Sequence, residues 1–310
     1  MDLLADALRV SGARGSVGVR LEAGGSWGLW LDAFPGAALH AVSDGVMWLN
    51  VPGERPFRLV AGDVVLLPPG TVHGLSNQAG ARMEACDPLA AARAQAVGGV
   101  VRLGGPPVET RLLTLHYEQD PEVSTAVLGA LTAPMHLAAR ENPSLDGVIR
   151  LLEGELARPR IGTTAAVNSM IDLLLVQFVR AWLERHPVRR TGSWLGALLD
   201  PVVRDALARI HEEPERPWTT ATLAAAIRVS RATLSRRFPA AVGQTPGAYL
   251  TRWRMDLAAL RLRDTDEPID AMAGAVGYAT PQAFSRAFRR ARGTTPGEFR
   301  RAVRERTGGR

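Results

Sequence analysis

The chain has 310 residues, room for two domains of ordinary size, and with 46% apolar and 22% charged residues it has a globular composition, not a disordered one. One cysteine, Cys86, excludes an internal disulfide framework and any multi-cysteine metal site, and no apolar run reaches the ~18 residues of a membrane span. All 37 cations are arginines, and they divide unevenly: residues 194–310 hold 20 Arg against 12 acids, net +8, whereas residues 1–193 hold 17 against 19, net −2.

At the amino terminus, Met1-Asp-Leu-Leu-Ala-Asp6 places acids where an export signal needs a basic stretch. The expected location is therefore the cytoplasm, with no membrane partner. Short apolar stretches follow at 15–21, 27–31, 37–42, 46–51, 57–60 and 64–67, separated by Gly, Pro, Asp and Asn turns. That alternation predicts a small antiparallel β-barrel or sandwich.

One stretch is more specific. Gly62-Asp63 turns into a buried strand, Pro68-Pro69-Gly70 turns out of it, and His73 then lies near the barrel interior. With Gly62, Pro68, Gly70, His73 and Asn77 at the spacing G-x5-P-x-G-x2-H-x3-N, it resembles the second cupin motif at every fixed position. The resemblance implies, in metal-dependent cupins, two further histidines and a carboxylate from a first motif. Residues 30–45 hold no H-x-H and no properly spaced glutamate. Zinc and iron need three or four converging ligands, and only His40 and His73 are on offer, so no metal and no cofactor are expected. His40 and His73 are the candidate effector-binding residues, polar contacts in an otherwise apolar pocket. Each taken singly also has a plainer reading, as a hydrogen-bonded core residue.

Beyond residue 95 the chain is expected to be largely helical, most clearly at 144–155 and 165–185. The second segment spaces Met170, Leu173, Leu174, Phe178, Val179 and Trp182 as one helical face, mostly a core face. Residues 187–193, Pro-Val-Arg-Arg-Thr-Gly-Ser, read as a linker between a domain at 1–187 and a domain at 194–310.

The basic domain repeats itself. Shifting the chain by 50 lays 232–249 on 282–299 with eight of 18 positions identical, among them Ser235/Ser285, Arg236/Arg286, Phe238/Phe288 and Gly243/Gly293. In the first copy, 218–227 predicts a short helix that Thr219 caps, Arg228-Val229 a turn, and Ser230 the cap of a helix over 231–238. Leu234 and Phe238 form its buried rear, and Ala232, Ser235 and Arg236 its front. In the second copy, 269–276 is the first helix, Gly277 supplies a left-handed turn, and the next helix buries Phe284 and Phe288 while presenting Gln282, Ser285 and Arg286. Two short helices joined by a tight turn, the second with a polar and basic front, form a helix-turn-helix. Each copy continues into Gly-x-Thr-Pro-Gly, and a helix from Pro246 towards Asp264 would be a rigid spacer holding the two recognition helices about one DNA turn, ~34 Å, apart.

These marks, with Trp218-Thr219, Arg252-Trp-Arg-Met255, Val276-Gly-Tyr278 and Gly293-Thr-Thr-Pro-Gly-Glu-Phe-Arg300, resemble the AraC/XylS DNA-binding domain over residues ~200–305. The resemblance implies base readout from Ala232, Ser235, Arg236, Gln282, Ser285 and Arg286; Arg231, Arg237, Arg289 and Arg290 complete the expected DNA-contacting set. It also implies double-stranded DNA as partner, a homodimer paired through a helix of the amino-terminal half, RNA polymerase as a further partner, and no enzymatic activity. Two positions of the first unit depart from the family pattern. Arg228 stands where a turn glycine is usual, so a non-Gly residue must enter the left-handed region or the turn must change. Pro239 removes a backbone bond late in the recognition helix and is expected to end it early, leaving the first reader tilted or less stable than the second.

The fold class expected is α+β: a cupin-like β-barrel with a helical dimerisation segment, then an all-α domain with two helix-turn-helix units. The leading function is a transcription regulator responsive to a small organic effector. Two alternatives stay open: a regulator whose barrel only dimerises, and a cupin enzyme fused to a DNA-binding tail, against which the missing first motif speaks.

Overall fold

The computed structural model describes residues 2–11, 14–87, 93, 99–118, 128, 131, 133–138, 141–186 and 194–308. The expected linker at 187–193 lies outside them. Contacts divide the chain into one unit of Arg14–Gln119 with Leu131–Arg185, and another that groups the first helix with His186–Arg310.

Among the described residues the first unit has eleven strands: β1 Arg14–Gly24, β2 Gly28–Leu31, β3 Ala37–Asp44, β4 Val46–Asn50, β5 Phe57–Val60, β6 Asp63–Leu67, β7 His73–Ser76, β8 Glu84–Ala85, β9 Val100–Gly104, β10 Thr110–Glu118 and β11 Met135–Ala138. They form a six-stranded sheet in the order β11-β6-β3-β10-β1-β9 and a five-stranded sheet in the order β5-β4-β7-β2-β8. Pairing is antiparallel except for β9 on β1 and β8 on β2. Side chains alternate across each strand. Leu21, Leu29, Val42, Met47, Leu75 and Leu112 therefore meet in one apolar interior.

The opposite face of the six-stranded sheet is also buried. Helix α2, Pro143–Ala157, packs on α3, Thr163–Arg185, and α3 contacts β1 and β11. The Tyr117 hydroxyl on β10 donates to the Ile171 carbonyl of α3 at 2.9 Å. By length and composition α3 could cross a bilayer; here Ile171, Leu174, Leu175, Phe178 and Val179 are buried within the unit. The helices expected at 144–155 and 165–185 are thus present. The largely helical character expected beyond residue 95 is not: β9, β10 and β11 lie there and complete the large sheet. The run 112–117 is covered on both faces, so it lacks the alternation that marks a half-exposed strand.

Among the described residues the second unit holds only helices: α1 Leu3–Ser11, α4 Trp194–Ala197, α5 Pro201–Glu212, α6 Thr220–Ala226, α7 Arg231–Val242, α8 Pro246–Asp264, α9 Ile269–Ala275, α10 Pro281–Arg292 and α11 Pro296–Gly308. Although residues 1–187 were expected to go together, α1 packs on α5 and α8. His211 of α5 stacks on Trp253 of α8 at 3.6 Å and shares a 2.7 Å hydrogen bond with the Tyr249 hydroxyl. Burial, with Arg9 of α1 adding to it, lowers its pKa to about 3, so the ring is neutral in the core.

The internal repeat extends further than the shift of 50 shows. Helices α7 and α10 are related by 50, but α6 and α9 are related by 49, as are the turn residues Arg228 and Gly277. The second turn is one residue longer. Leu223-Ala224 and Met272-Ala273 are the corresponding buried pairs, and Val229 N–H bonds to the Ala224 carbonyl as Tyr278 N–H does to Ala273. Arg228 does take the left-handed conformation, at φ 56. Pro239 does not shorten its helix: α7 continues to Val242 and ends, like α10, on a left-handed glycine, Gly243 or Gly293. Leu234 and Phe238, fully buried, hold α7 in place around the missing bond.

Candidate DNA-reading surface and barrel cavity

Each recognition helix is defined at both ends and buried along one side. For α7, the Ser230 hydroxyl accepts the Thr233 N–H at 3.0 Å; for α10, the Thr280 hydroxyl accepts the Ala283 N–H at 3.2 Å and Pro281 occupies the first turn. With Leu234 and Phe238 facing inward, Arg231, Ala232, Ser235 and Arg236 are left exposed. With Phe284, Ala287 and Phe288 inward, Gln282, Arg286, Arg289 and Arg290 are exposed and Ser285 half-buried.

Arg237 is placed differently from the other arginines of the expected set. Its Nε donates to Asp200 Oδ2 at 2.9 Å, and Asp200 in turn caps α5 by accepting from Val202 and Val203 N–H. Arg237 thus fastens α7 to the helix behind it. At the corresponding place in the second unit stands the buried Ala287, and there the fastening comes from Arg292, which pairs with Asp256 of α8, both side chains almost wholly buried. Between the two units runs α8, 19 residues and so ~28 Å long.

The barrel contains a cavity of about 310 Å³. His40 and Thr114 reach it from the six-stranded sheet and His73 from the five-stranded one. The ring nitrogens of the two histidines form a chain whose direction can be worked out. His73 Nδ1 lies 3.0 Å from the Thr71 carbonyl, which can only accept, so Nδ1 carries the proton. Burial lowers the pKa of His73 and lowers that of His40 well below the usual value, with His73 and His116 adding to the effect on His40. Both rings are therefore neutral and His73 Nε2 is bare. It accepts from His40 Nε2 at 2.9 Å, and His40 Nδ1 accepts from the Thr114 hydroxyl at 3.0 Å. All four ring nitrogens are satisfied within the barrel, and the His40–His73 bond ties one sheet to the other.

Sequence reasoning did not single out His116 or Phe34, which also line the cavity, nor place Cys86 there. His116 stacks on Phe34 with centroids 4.5 Å apart, and its pKa is lowered by burial, Glu118 opposing. The available signal was the alternation Leu112-Thr114-His116 within a run expected to be helical. The Cys86 thiol is half-buried and pushed up by burial, then by Asp87 and Asp32, so it is a protonated thiol at neutral pH. Among the described residues, no three His, Cys, Asp or Glu side chains converge as a metal site.

The Cupin family matches residues 2–184 and the Helix-turn-helix domain family residues 223–302. The chain is 34% identical to a protein of Streptomyces antibioticus named as an AraC-like transcription regulator, over 97% of this chain and 99% of the relative. A Streptomyces lividans protein of the same description is 34% identical over 97% and 98% of the two chains. The HTH-type transcriptional regulator MtrA of Neisseria gonorrhoeae is 29% identical, again over 97% and 98%.

Proposed function

The chain belongs to the AraC-like transcription regulators, a cupin-type domain followed by a helix-turn-helix domain, and from that premise we propose that α7 and α10 read operator DNA under the control of a small organic effector held in the barrel. The observation that carries the effector is the cavity: apolar walls with a few placed polar groups are the usual form of a small-molecule site. Arg236 and Arg286 are the base-reading cations, with Ala232, Ser235, Gln282 and Ser285 beside them; Arg231, Arg289 and Arg290 serve the phosphates. His40 and His73 brace the pocket instead of offering free nitrogens to its occupant. The barrel binds and does not catalyse, and the protein works in the cytoplasm, where it meets RNA polymerase.

A homodimer belongs to the same reading. Leu151 of α2, Ile161 of the connecting turn and Leu173 of α3 are exposed apolar side chains on one helical hairpin, and a second copy would cover them. Sedimentation of the protein with Leu151 and Leu173 changed to glutamate tests this; an unaltered mass would remove the hairpin from the interface.

The effector is tested by selecting an operator from random duplexes with the full chain, then screening metabolites for a change in its affinity. An effector must prefer one state of the protein over the other, since equal affinity shifts nothing. Any hit should be lost in an Ala38→Met variant, whose longer side chain occupies the cavity, while operator binding without effector is retained. A hit that survives that substitution acts elsewhere.

A further inference from the structure

The polar groups still open inside the barrel are mainly acceptors. With the His40–His73 chain closed on itself, the neutral His116 ring makes no hydrogen bond among the described residues and keeps one N–H and one bare nitrogen, the latter an acceptor. The Thr114 oxygen gives its proton to His40 and keeps its lone pairs, again acceptors. Asp32 and Glu84, both exposed, line the cavity at its solvent side. Among the described residues lining the cavity there is no arginine, in a chain whose cations are all arginine. The negative field of Asp87 and Asp32 is felt at the Cys86 thiol, which it pushes upward after burial has done so.

The backbone is also shaped around His116. Strand β1 pairs Val17 with Leu115 and Arg20 with Leu113, so Gly18 and Val19 together oppose Thr114 in a β-bulge. A Cβ on Gly18 would stand 2.9 Å from the His116 ring. The glycine leaves room for the imidazole, and Phe34 stacks on the ring. Bulges of this kind re-aim side chains at sites.

We propose that the cavity takes a lipophilic amine, an apolar body bearing one protonated nitrogen, with His116 as its hydrogen-bond acceptor and Asp32 and Glu84 as its counter-charges. The inference rests on the effector reading above and names the chemical class of that effector. Apolar walls take the body. The ammonium group donates to His116, lies beside the Phe34 ring face, and is drawn to an acidic rim that repels carboxylates. His40 and His73 stay bonded to each other when the ligand enters.

The test uses the full chain and three molecules that share one body: 4-phenylbutylamine, 4-phenylbutanol and 4-phenylbutyrate. Binding is followed by equilibrium dialysis and by the melting temperature, at pH 7 and at low and high salt. The amine should bind at least tenfold more tightly than the alcohol, and the alcohol more tightly than the carboxylate. High salt should shrink the advantage of the amine and leave the alcohol unchanged. In the Asp32→Asn, Glu84→Gln double variant, whose changes are exposed and leave the core intact, the amine should fall to the level of the alcohol. His116→Leu should weaken amine and alcohol alike, and Gly18→Ala should do the same by displacing the ring. Equal binding of amine and alcohol, or tighter binding of the carboxylate, overturns the cationic class while leaving a ligand-holding barrel in place. If none of the three binds at millimolar concentration, the effector reading itself falls with it.

Discussion

In the first helix-turn-helix unit the turn residue is Arg228, and in the second it is Gly277; both are left-handed, at φ 56 and 81, yet their surroundings differ. Arg228 is exposed, whereas a Cβ on Gly277 would meet Arg254 Nη2 at 2.5 Å and the Glu215 carbonyl at 2.6 Å. The first unit is fastened from behind by the half-exposed pair Arg237–Asp200, the second by the buried pair Arg292–Asp256. The cations also fall differently. In α7 they stand in the first half and middle, at Arg231, Arg236 and Arg237, with Pro239 beyond; in α10 the last turn carries Arg289, Arg290 and Arg292, where they also meet the negative end of the helix dipole. One backbone plan thus tolerates two sets of anchors and two charge patterns, so the repeat constrains the caps and core residues and leaves the front free to diverge.

The sharpest contrast is between the anchors. Asp256→Ala strands the buried Arg292 guanidinium and should cost ~3–5 kcal/mol in a urea titration, whereas Asp200→Ala, losing a helix cap and a half-exposed pair, should cost about 1–2. Equal costs would mean that the two units are fastened alike. Next in size is Gly277→Ala, which forces a side chain into a left-handed residue against Arg254 and should lose about 2–3 kcal/mol of stability. At the operator, Arg286→Ala and Arg236→Ala should each cost ~1–3 kcal/mol and relax preference at one or two base pairs. The shared frame of α7 and α10 leads us to expect losses within tenfold of each other. A uniform loss on every sequence would instead assign the residue to a phosphate. The smallest effect is a gain: Arg228→Gly relieves the left-handed strain, partly offset by a freer unfolded chain, and should raise stability by less than ~1 kcal/mol in thermal melts. Destabilisation would show that the Arg228 side chain holds the turn.

Much of this was legible beforehand because the signals were local. Thr219, Ser230 and Gly243 cap where their types and spacing predict, and Gly62, Gly70 and Asn77 take turn and bonding positions around His73: both glycines have positive φ, and Asn77 Oδ1 accepts the Trp27 N–H. What escaped reading was non-local. Residues 110–118 gave no strand period because α3 covers one face and the barrel interior the other, so His116 was never placed inside. A gapless shift of 50 stopped at 232 because the one-residue longer second turn moves everything upstream to 49. Pro239 was expected to end its helix because sequence shows the lost bond but not the burial of Leu234 and Phe238 just before it. Pairing of His40 with His73 depends on the facing of two sheets, which no spacing records.

Arg254 links the two readers through the spacer. From α8 its Nε donates to the Pro214 carbonyl at 2.6 Å and its Nη2 to Glu215 and Arg216 at 3.1 and 2.9 Å, in the loop that leads into the first unit. The same guanidinium occupies the space beside Gly277, at the turn of the second unit, with the Tyr278 ring 5.8 Å away. One side chain therefore bonds the loop of the first unit to α8 and packs at the turn of the second, so an independent swivel of either reader would disturb these contacts. For the operator this is a matter of phase. Two half-sites must present their grooves on one side of the duplex, and five extra base pairs between them, about half a turn, would carry one half-site to the far side, where a rigid pair cannot follow.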